Sequence, residues 1–206
     1  MAVDARDLLE AAVVVSDLDA ALAGARIVVG TTGRRGKHRR PHFPLQQLAE
    51  SLGRRSPAVD LACVFGREDR GLTDEELDRC THLVYLPASP DYSSYNLAQA
   101  VLLVAWELQR AGAAVAADTD WPEPAAHAER EALYEHLQHA LAAIGFLNRD
   151  GTAVVMRRLR RLLGRAEASA EELTLLRGMA RQMLWAAGRA GLLSERDEPP
   201  PDGSDS

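Results

Sequence analysis

Residues 61–110, LACVFGREDRGLTDEELDRCTHLVYLPASPDYSSYNLAQAVLLVAWELQR, read as strand, glycine-rich turn, capped helix, strand, polar loop and buried helix without interruption. Leu61 to Phe65 and Leu83 to Leu86 are short, continuous apolar runs, the pattern of strands buried on both faces of a parallel sheet. Between them, Thr73 and Glu76 have capping-box spacing, which predicts a brief helix from Asp74 to Arg79. Pro87 stops the second strand. From Asn96 to Ala111, Leu97, Val101, Val104, Ala105 and Leu108 recur at helical spacing, and Gly112 is placed to end the helix.

Working outward, the same alternation continues upstream. Ser16 with Asp19 predicts a capped start for a helix over Leu18 to Leu22 that ends near Gly24. Arg26-Ile27-Val28-Val29 predicts a buried strand that ends at Gly30, and Leu45 to Leu52 a short helix. Strands alternating with helices imply an α/β fold, a parallel sheet with helices on both faces. Downstream the composition changes. Residues 113–127 are rich in Ala, Asp and Pro and read as a linker. Residues 128–190 carry three helical patterns, Glu129 to Gly145, Thr152 to Leu163 and one starting at Ser169, where Ser169 and Glu172 form a further capping box. This small all-α extension has little core of its own and is expected to pack on a partner surface. Residues 191–206 are acidic and proline-rich, a disordered tail by composition. The organisation is thus a first domain over 1–112, a linker, an extension and a tail.

The chain has 206 residues, 47% of them hydrophobic, enough for one full domain and a smaller one. No apolar run approaches the roughly 18–20 residues that cross a bilayer, and the start lacks a basic stretch followed by an apolar one, so a cytoplasmic protein without membrane contact is expected. Cys63 and Cys80 are isolated and offer no metal-binding pair; His136 and His139 lie among leucines and read as structural or exposed. No metal is expected. The net charge of −6 argues against blanket nucleic-acid affinity, but Arg34, Arg35, Lys37, Arg39 and Arg40 form one basic cluster and Arg157, Arg158, Arg160 and Arg161 another.

Two motifs within the opening stretch carry a resemblance. Gly66-Arg67-Glu68 with Gly71-Leu72, and Leu86-Pro87 with Ser93-Ser94-Tyr95-Asn96-Leu97-Ala98, resemble the second and third signature motifs of the SpoU-type RNA ribose methyltransferases of the SPOUT superfamily. Segments Tyr134 to Leu137, Gly145 to Asn148 and Met156 to Leu162 are similar to the helical extension of the branch that acts as tRNA (cytidine/uridine-2'-O-)-methyltransferase in the anticodon loop. The resemblance implies a trefoil-knotted methyltransferase domain, S-adenosyl-L-methionine as cofactor, tRNA as partner and a homodimer. The reaction it implies is 2'-O-ribose methylation, at the first nucleotide of the anticodon loop; ribosomal RNA is the alternative substrate.

Ligands on open parallel sheets sit beyond the carboxyl ends of the strands, where three loops of this chain fall. By resemblance these loops hold the cofactor through Thr31, Thr32, Gly33, Gly66, Leu86, Ser94, Asn96 and Leu97, and Ser94 takes the catalytic role in activating the hydroxyl. Glycines at 30, 66 and 71 suit close backbone approach to a ligand; taken alone each more often makes a plain strand-ending turn, and it is their joint placement with the third motif that favours a ligand. Leu86 and Leu97 suit an apolar wall or plain core. Asn96 suits a helix cap as well as a site, and Glu68 suits an internal ion pair with Arg67 or Arg70. The cluster of Arg34, Arg35, Lys37, Arg39 and Arg40 beside this pocket suits phosphate contact, and the basic helix over 152–163 suits tRNA contact or an ordinary surface in equal measure.

The family's first motif, an Asn-x-Gly segment and an arginine, would stand ahead of Asp7, where this sequence has six residues. A methyltransferase domain incomplete at its N-terminus is therefore expected, either a shortened copy or one whose start is placed too late. A non-catalytic protein that retains RNA or cofactor affinity is the alternative function.

Overall fold

The computed structural model describes residues 6–32, 43–53, 59–86, 95–114, 122–147 and 151–191. Its elements in chain order are α1 (Arg6–Glu10), α2 (Leu18–Leu22), β1 (Ile27–Thr31), β2 (Phe43–Pro44), α3 (Leu45–Gly53), β3 (Leu61–Val64), α4 (Asp74–Asp78), β4 (His82–Tyr85), α5 (Leu97–Ala114), α6 (His127–Ala143), α7 (Thr152–Ala166) and α8 (Ala170–Arg189). The four strands form one parallel sheet in the order β2-β4-β1-β3, with Val29 opposite both Cys63 and His82.

The strands read as unbroken apolar runs because the sheet is covered on both faces. Val28 and Leu83 point to one side and pack with Leu22, Leu72, Leu77 and Cys80 under α2 and α4. Ile27, Val29 and Val84 point to the other and pack with Leu45, Leu48 and Val104 under α3 and α5. Alternate residues of a strand face opposite ways, so each strand feeds both cores. Burial pushes the Cys80 thiol up to about 12, and Glu76 and Asp78 add to the shift. The Cys63 thiol is also raised by burial.

Local signals account for the starts of α2, α4 and α8. Thr73 Oγ1 accepts from Glu76 N at 3.2 Å while Thr73 N donates to the Glu76 carboxylate at 2.6 Å, the reciprocal capping box the spacing predicts. Ser169 and Glu172 repeat it at α8, at 3.3 and 2.8 Å. At α2 the cap is Asp17 instead of Ser16: the Asp17 carboxylate accepts from Ala20 N at 2.8 Å, and Ser16 donates to that carboxylate. Two acceptors were adjacent in sequence, and the charged one took the position. α5 likewise runs through Gly112 to Ala114, because one interior glycine costs a helix only about 1 kcal/mol.

The C-terminal helices pack on this chain's own sheet domain. They have small cores of their own, Ala125 with Leu133, Ala168 and Leu173, and Ala140 with Ala180 and Leu184. The joint to the sheet is mainly polar. His127 N and Ala128 N at the start of α6 donate to Ala25 O and Ala23 O at 2.8 and 3.2 Å, so the donor end of one helix meets carbonyls left open after another. Arg26 pairs with Glu123 and donates to Pro124 O. Asp19 accepts from both Arg79 and His127; burial raises its carboxyl, but those two hydrogen bonds outweigh it and hold the group below its usual range. On the other side His82 Nε2 lies 3.0 Å from a Glu167 carboxylate oxygen, and both side chains are almost fully buried.

The arginines of α7 serve this joint. Arg157 donates to Asp78 at 2.7 Å with Arg161 at 3.8 Å from the same carboxylate, and Arg160 pairs with Glu131 while lying 4.5 Å over the Tyr134 ring. Burial pushes the Tyr134 hydroxyl up to about 12, against Arg130 and Arg160. Arg158 alone of the four is exposed. The chain path through 87–94, on which the expected knot depends, lies outside the described residues. Among the described residues no helix is long and apolar enough to cross a membrane.

Candidate active site

Parallel pairing brings the carboxyl ends of β1, β3 and β4 to one edge of the sheet, so Thr31, Gly66 and Leu86 begin three neighbouring loops. Thr31 Oγ1 donates to Val64 O at 3.2 Å and Thr32 N donates to Val84 O at 3.0 Å. The first loop therefore starts anchored to both flanking strands. Gly33, Ser94 and the cluster Arg34, Arg35, Lys37, Arg39 and Arg40 lie outside the described residues.

The second loop is a tight turn closed by Gly71 N donating to Arg67 O at 2.7 Å, with Gly71 at φ 72°. Gly66 packs against this turn: a Cβ on it would lie 2.1 Å from Gly71 C and 2.2 Å from Leu72 N. Gly30 is likewise closed off, by Cys80 Sγ at 2.5 Å from the position of a Cβ. The glycines at 30 and 66 thus meet the protein itself, a constraint that close approach of a ligand does not supply.

Asn96 joins the second and third motifs. Its Nδ2 donates to Glu68 Oε1 at 2.8 Å, its Oδ1 accepts from Ala98 N at 2.9 Å, and its own N donates to Gln99 Oε1 at 3.3 Å. Capping and bridging are therefore one arrangement. Glu68 pairs with Asn96, across 28 residues, and it is Asp69 that lies near Arg67, at 3.6 Å. Beside this bridge Tyr95 and Leu97 are 39% and 37% exposed, while Leu86 is half-buried against the cluster that contains Val84 and Val104. Leu97 is thus open to solvent at the rim and Leu86 is shared with the core. The edge combines backbone groups, an amide–carboxylate pair and open apolar side chains, a composition suited to a small ligand with both polar and apolar parts.

The bridge has a measurable consequence. Glu68→Ala and Asn96→Ala are each expected to weaken binding of the cofactor that the motif resemblance implies, S-adenosylmethionine, about 3- to 10-fold, the scale of one lost charge-assisted hydrogen bond at an exposed position. In calorimetry the double variant should lose little beyond either single one. Fully additive losses would show that the two residues act separately.

Known proteins share both halves of this architecture. Residues 1–106 match the SpoU rRNA Methylase family and residues 128–192 match the C-terminal domain of tRNA methyltransferase TrmJ. The tRNA (cytidine/uridine-2'-O-)-methyltransferase TrmJ of Yersinia pestis (strain Pestoides F) is 38% identical over 182 residues, which cover 85% of this chain and 70% of that protein. The crystal structure of TrmJ from Z. mobilis ZM4 superposes with a TM-score of 0.74 at 28% identity, over 88% of this chain and 78% of that one. A methylase family protein from Haemophilus influenzae Rd KW20 aligns with a TM-score of 0.50 at 30% identity, over 91% and 78%.

Proposed function

Because this chain belongs to the SpoU rRNA methylase family, we propose that it is a tRNA 2'-O-ribose methyltransferase that uses S-adenosylmethionine. The observation that carries the substrate is the double match, a methylase half followed by the C-terminal domain of a tRNA methyltransferase. The second half favours tRNA over ribosomal RNA. The cytidine/uridine specificity of the similar enzymes supports a cytidine or uridine target, which we propose at the first nucleotide of the anticodon loop.

S-adenosylmethionine, when bound, supplies an electrophilic methyl group on a sulfonium centre. The chain's task is to bind, orient and assist loss of the hydroxyl proton. Thr31 and Thr32, Gly33, Gly66, Leu86, Asn96 and Leu97 are the residues proposed to hold the cofactor, with Glu68 fixing Asn96. Ser94 is proposed to touch the ribose hydroxyl. The cluster of Arg34, Arg35, Lys37, Arg39 and Arg40 is proposed to neutralise RNA phosphates. A homodimer is also proposed: Val101, Leu102 and Trp106 of α5 are 42%, 67% and 63% exposed, an apolar face of the kind that a second copy covers.

The test is methyl incorporation from labelled S-adenosylmethionine into tRNA and ribosomal RNA, followed by mapping of the ribose-methylated nucleotide. It is run on residues 1–206 and on a version extended by the in-frame upstream coding sequence. Ribose methylation of a tRNA anticodon-loop pyrimidine by either polypeptide is the expected result. Methylation of a base, or of ribosomal RNA alone, would overturn the reading.

A further inference from the structure

The terminal helix α8 turns Leu173, Ala180, Leu184 and Ala187 inward against α6. Its other face carries an arrangement that the core does not explain. Trp185 is 55% exposed, with Arg181 one turn before it and Arg189 one turn after, both exposed. The Arg189 guanidinium lies 5.1 Å from the centroid of the indole. Neither arginine is in an ion pair with a carboxylate among the described residues. The acidic residues of α8, Glu171 and Glu172, sit in its first turn, roughly 20 Å along the axis from Trp185. On the same face Gly178 has nothing within 4 Å of where a Cβ would stand, so neither packing nor backbone geometry requires a glycine there.

We propose that Trp185, flanked by Arg181 and Arg189, is a stacking platform for an unpaired nucleobase of the RNA substrate. Recognition of single-stranded RNA needs a flat aromatic surface for a base and cations spaced along the strand for its phosphates. A tryptophan with arginines at i−4 and i+4 places all three on one helical face. The positive charge of this face, in a chain of net charge −6, selects an anionic partner, and the exposed indole selects one with planar rings. The open backbone at Gly178 leaves room for the strand to pass beside the helix. An extended loop of tRNA meets all of these requirements. The arginines of α7 do not compete for this role, since three of the four hold α7 to α4 and α6.

This inference rests on the tRNA reading, and its test separates the two. Affinity of the full chain for a fluorescent tRNA transcript is measured for the wild type, Trp185→Ala, Trp185→Phe and the double variant Arg181→Ala/Arg189→Ala, with S-adenosylmethionine affinity as control. Trp185→Ala is expected to weaken tRNA binding about 5- to 100-fold, and Trp185→Phe to recover most of it, because base stacking needs the ring and not the indole N–H. The arginine variant should lower the slope of log affinity against log salt by roughly 1 to 2. Cofactor affinity should stay within about twofold of the wild type throughout, since α8 carries none of the proposed cofactor ligands. A wild type that binds no tRNA would overturn the substrate reading and this inference together. Wild-type tRNA affinity in Trp185→Ala would overturn the platform alone. A change of oligomeric state in Trp185→Ala, seen by light scattering, would assign the face to a second copy of the chain and also overturn it.

Discussion

Gly66→Ala is expected to reduce binding of the proposed cofactor, S-adenosylmethionine, by about tenfold or more and to lower thermal stability at the same time, since forcing an extra carbon into a closed space costs roughly 1–3 kcal/mol. The added Cβ would lie 2.1 Å from the carbonyl carbon of Gly71 and 2.2 Å from the amide nitrogen of Leu72. Both are backbone atoms, so relief requires the turn over 66–72 to open. That turn carries Glu68, which holds the Asn96 side chain at the start of α5. A displaced turn therefore disturbs two of the three loops at the sheet edge. Gly71→Ala is the informative comparison. Position 71 has open space around it but φ 72°, so a side chain there meets only the conformational penalty of the left-handed region, roughly 1–2 kcal/mol. Calorimetric titration together with thermal unfolding checks both variants. A Gly66→Ala protein that melts and binds like the wild type would show that the turn relaxes freely and has no part in the site.

Which parts were legible in the sequence follows from the range of the interactions involved. The boxes at Thr73 with Glu76 and Ser169 with Glu172 close within three residues, so their residue types announce them. β1 and most of β4 were legible because burial on both faces leaves mainly apolar residues to place, His82 being the buried exception. Gly66 was legible as a glycine that a strand-ending turn could require, but the atoms that exclude a side chain were not, since they belong to residues five and six positions on and become neighbours only when the turn closes. The Glu68–Asn96 bridge spans 28 residues and the His82–Glu167 pair joins β4 to the end of α7. Neither has a local signature. The basic stripe of α7 stayed ambiguous for the same reason. Its arginines look unpaired until Asp78 and Glu131 are brought to them from other elements, and charge along one helix cannot reveal that.

Those distant pairs decide what the C-terminal helices are for structurally, and Arg130 offers the sharpest test. Its side chain is 4% exposed, yet it has no ion pair with a carboxylate among the described residues. Its guanidinium instead donates to carbonyls: Arg26 O at 2.7 Å, Ala25 O at 3.5 Å, and Ala125 O. Burial pulls its pKa below the ordinary arginine value, while Tyr134, Glu131 and Glu129 act in the opposite sense. Arginine suits this position because its planar fork reaches several acceptors at once and stays charged when desolvated. Arg130→Met keeps the apolar stem and removes every donor. It is expected to cost about 2–5 kcal/mol, the range for leaving buried polar groups without partners. Arg130→Lys should recover only part, since one ammonium cannot span the same carbonyls. Ala25 O retains a second donor, His127 N, so the loss falls mainly at Arg26 and Ala125. Hydrogen exchange should therefore quicken first at the start of α6 and at the entry to β1, with the core of α8 following later. If exchange rises in the C-terminal helices while β1 is unaffected, the two parts are independent units joined by a passive contact. If both loosen together, the extension is part of the framework that holds β1, and through β1 the loop that begins at Thr31.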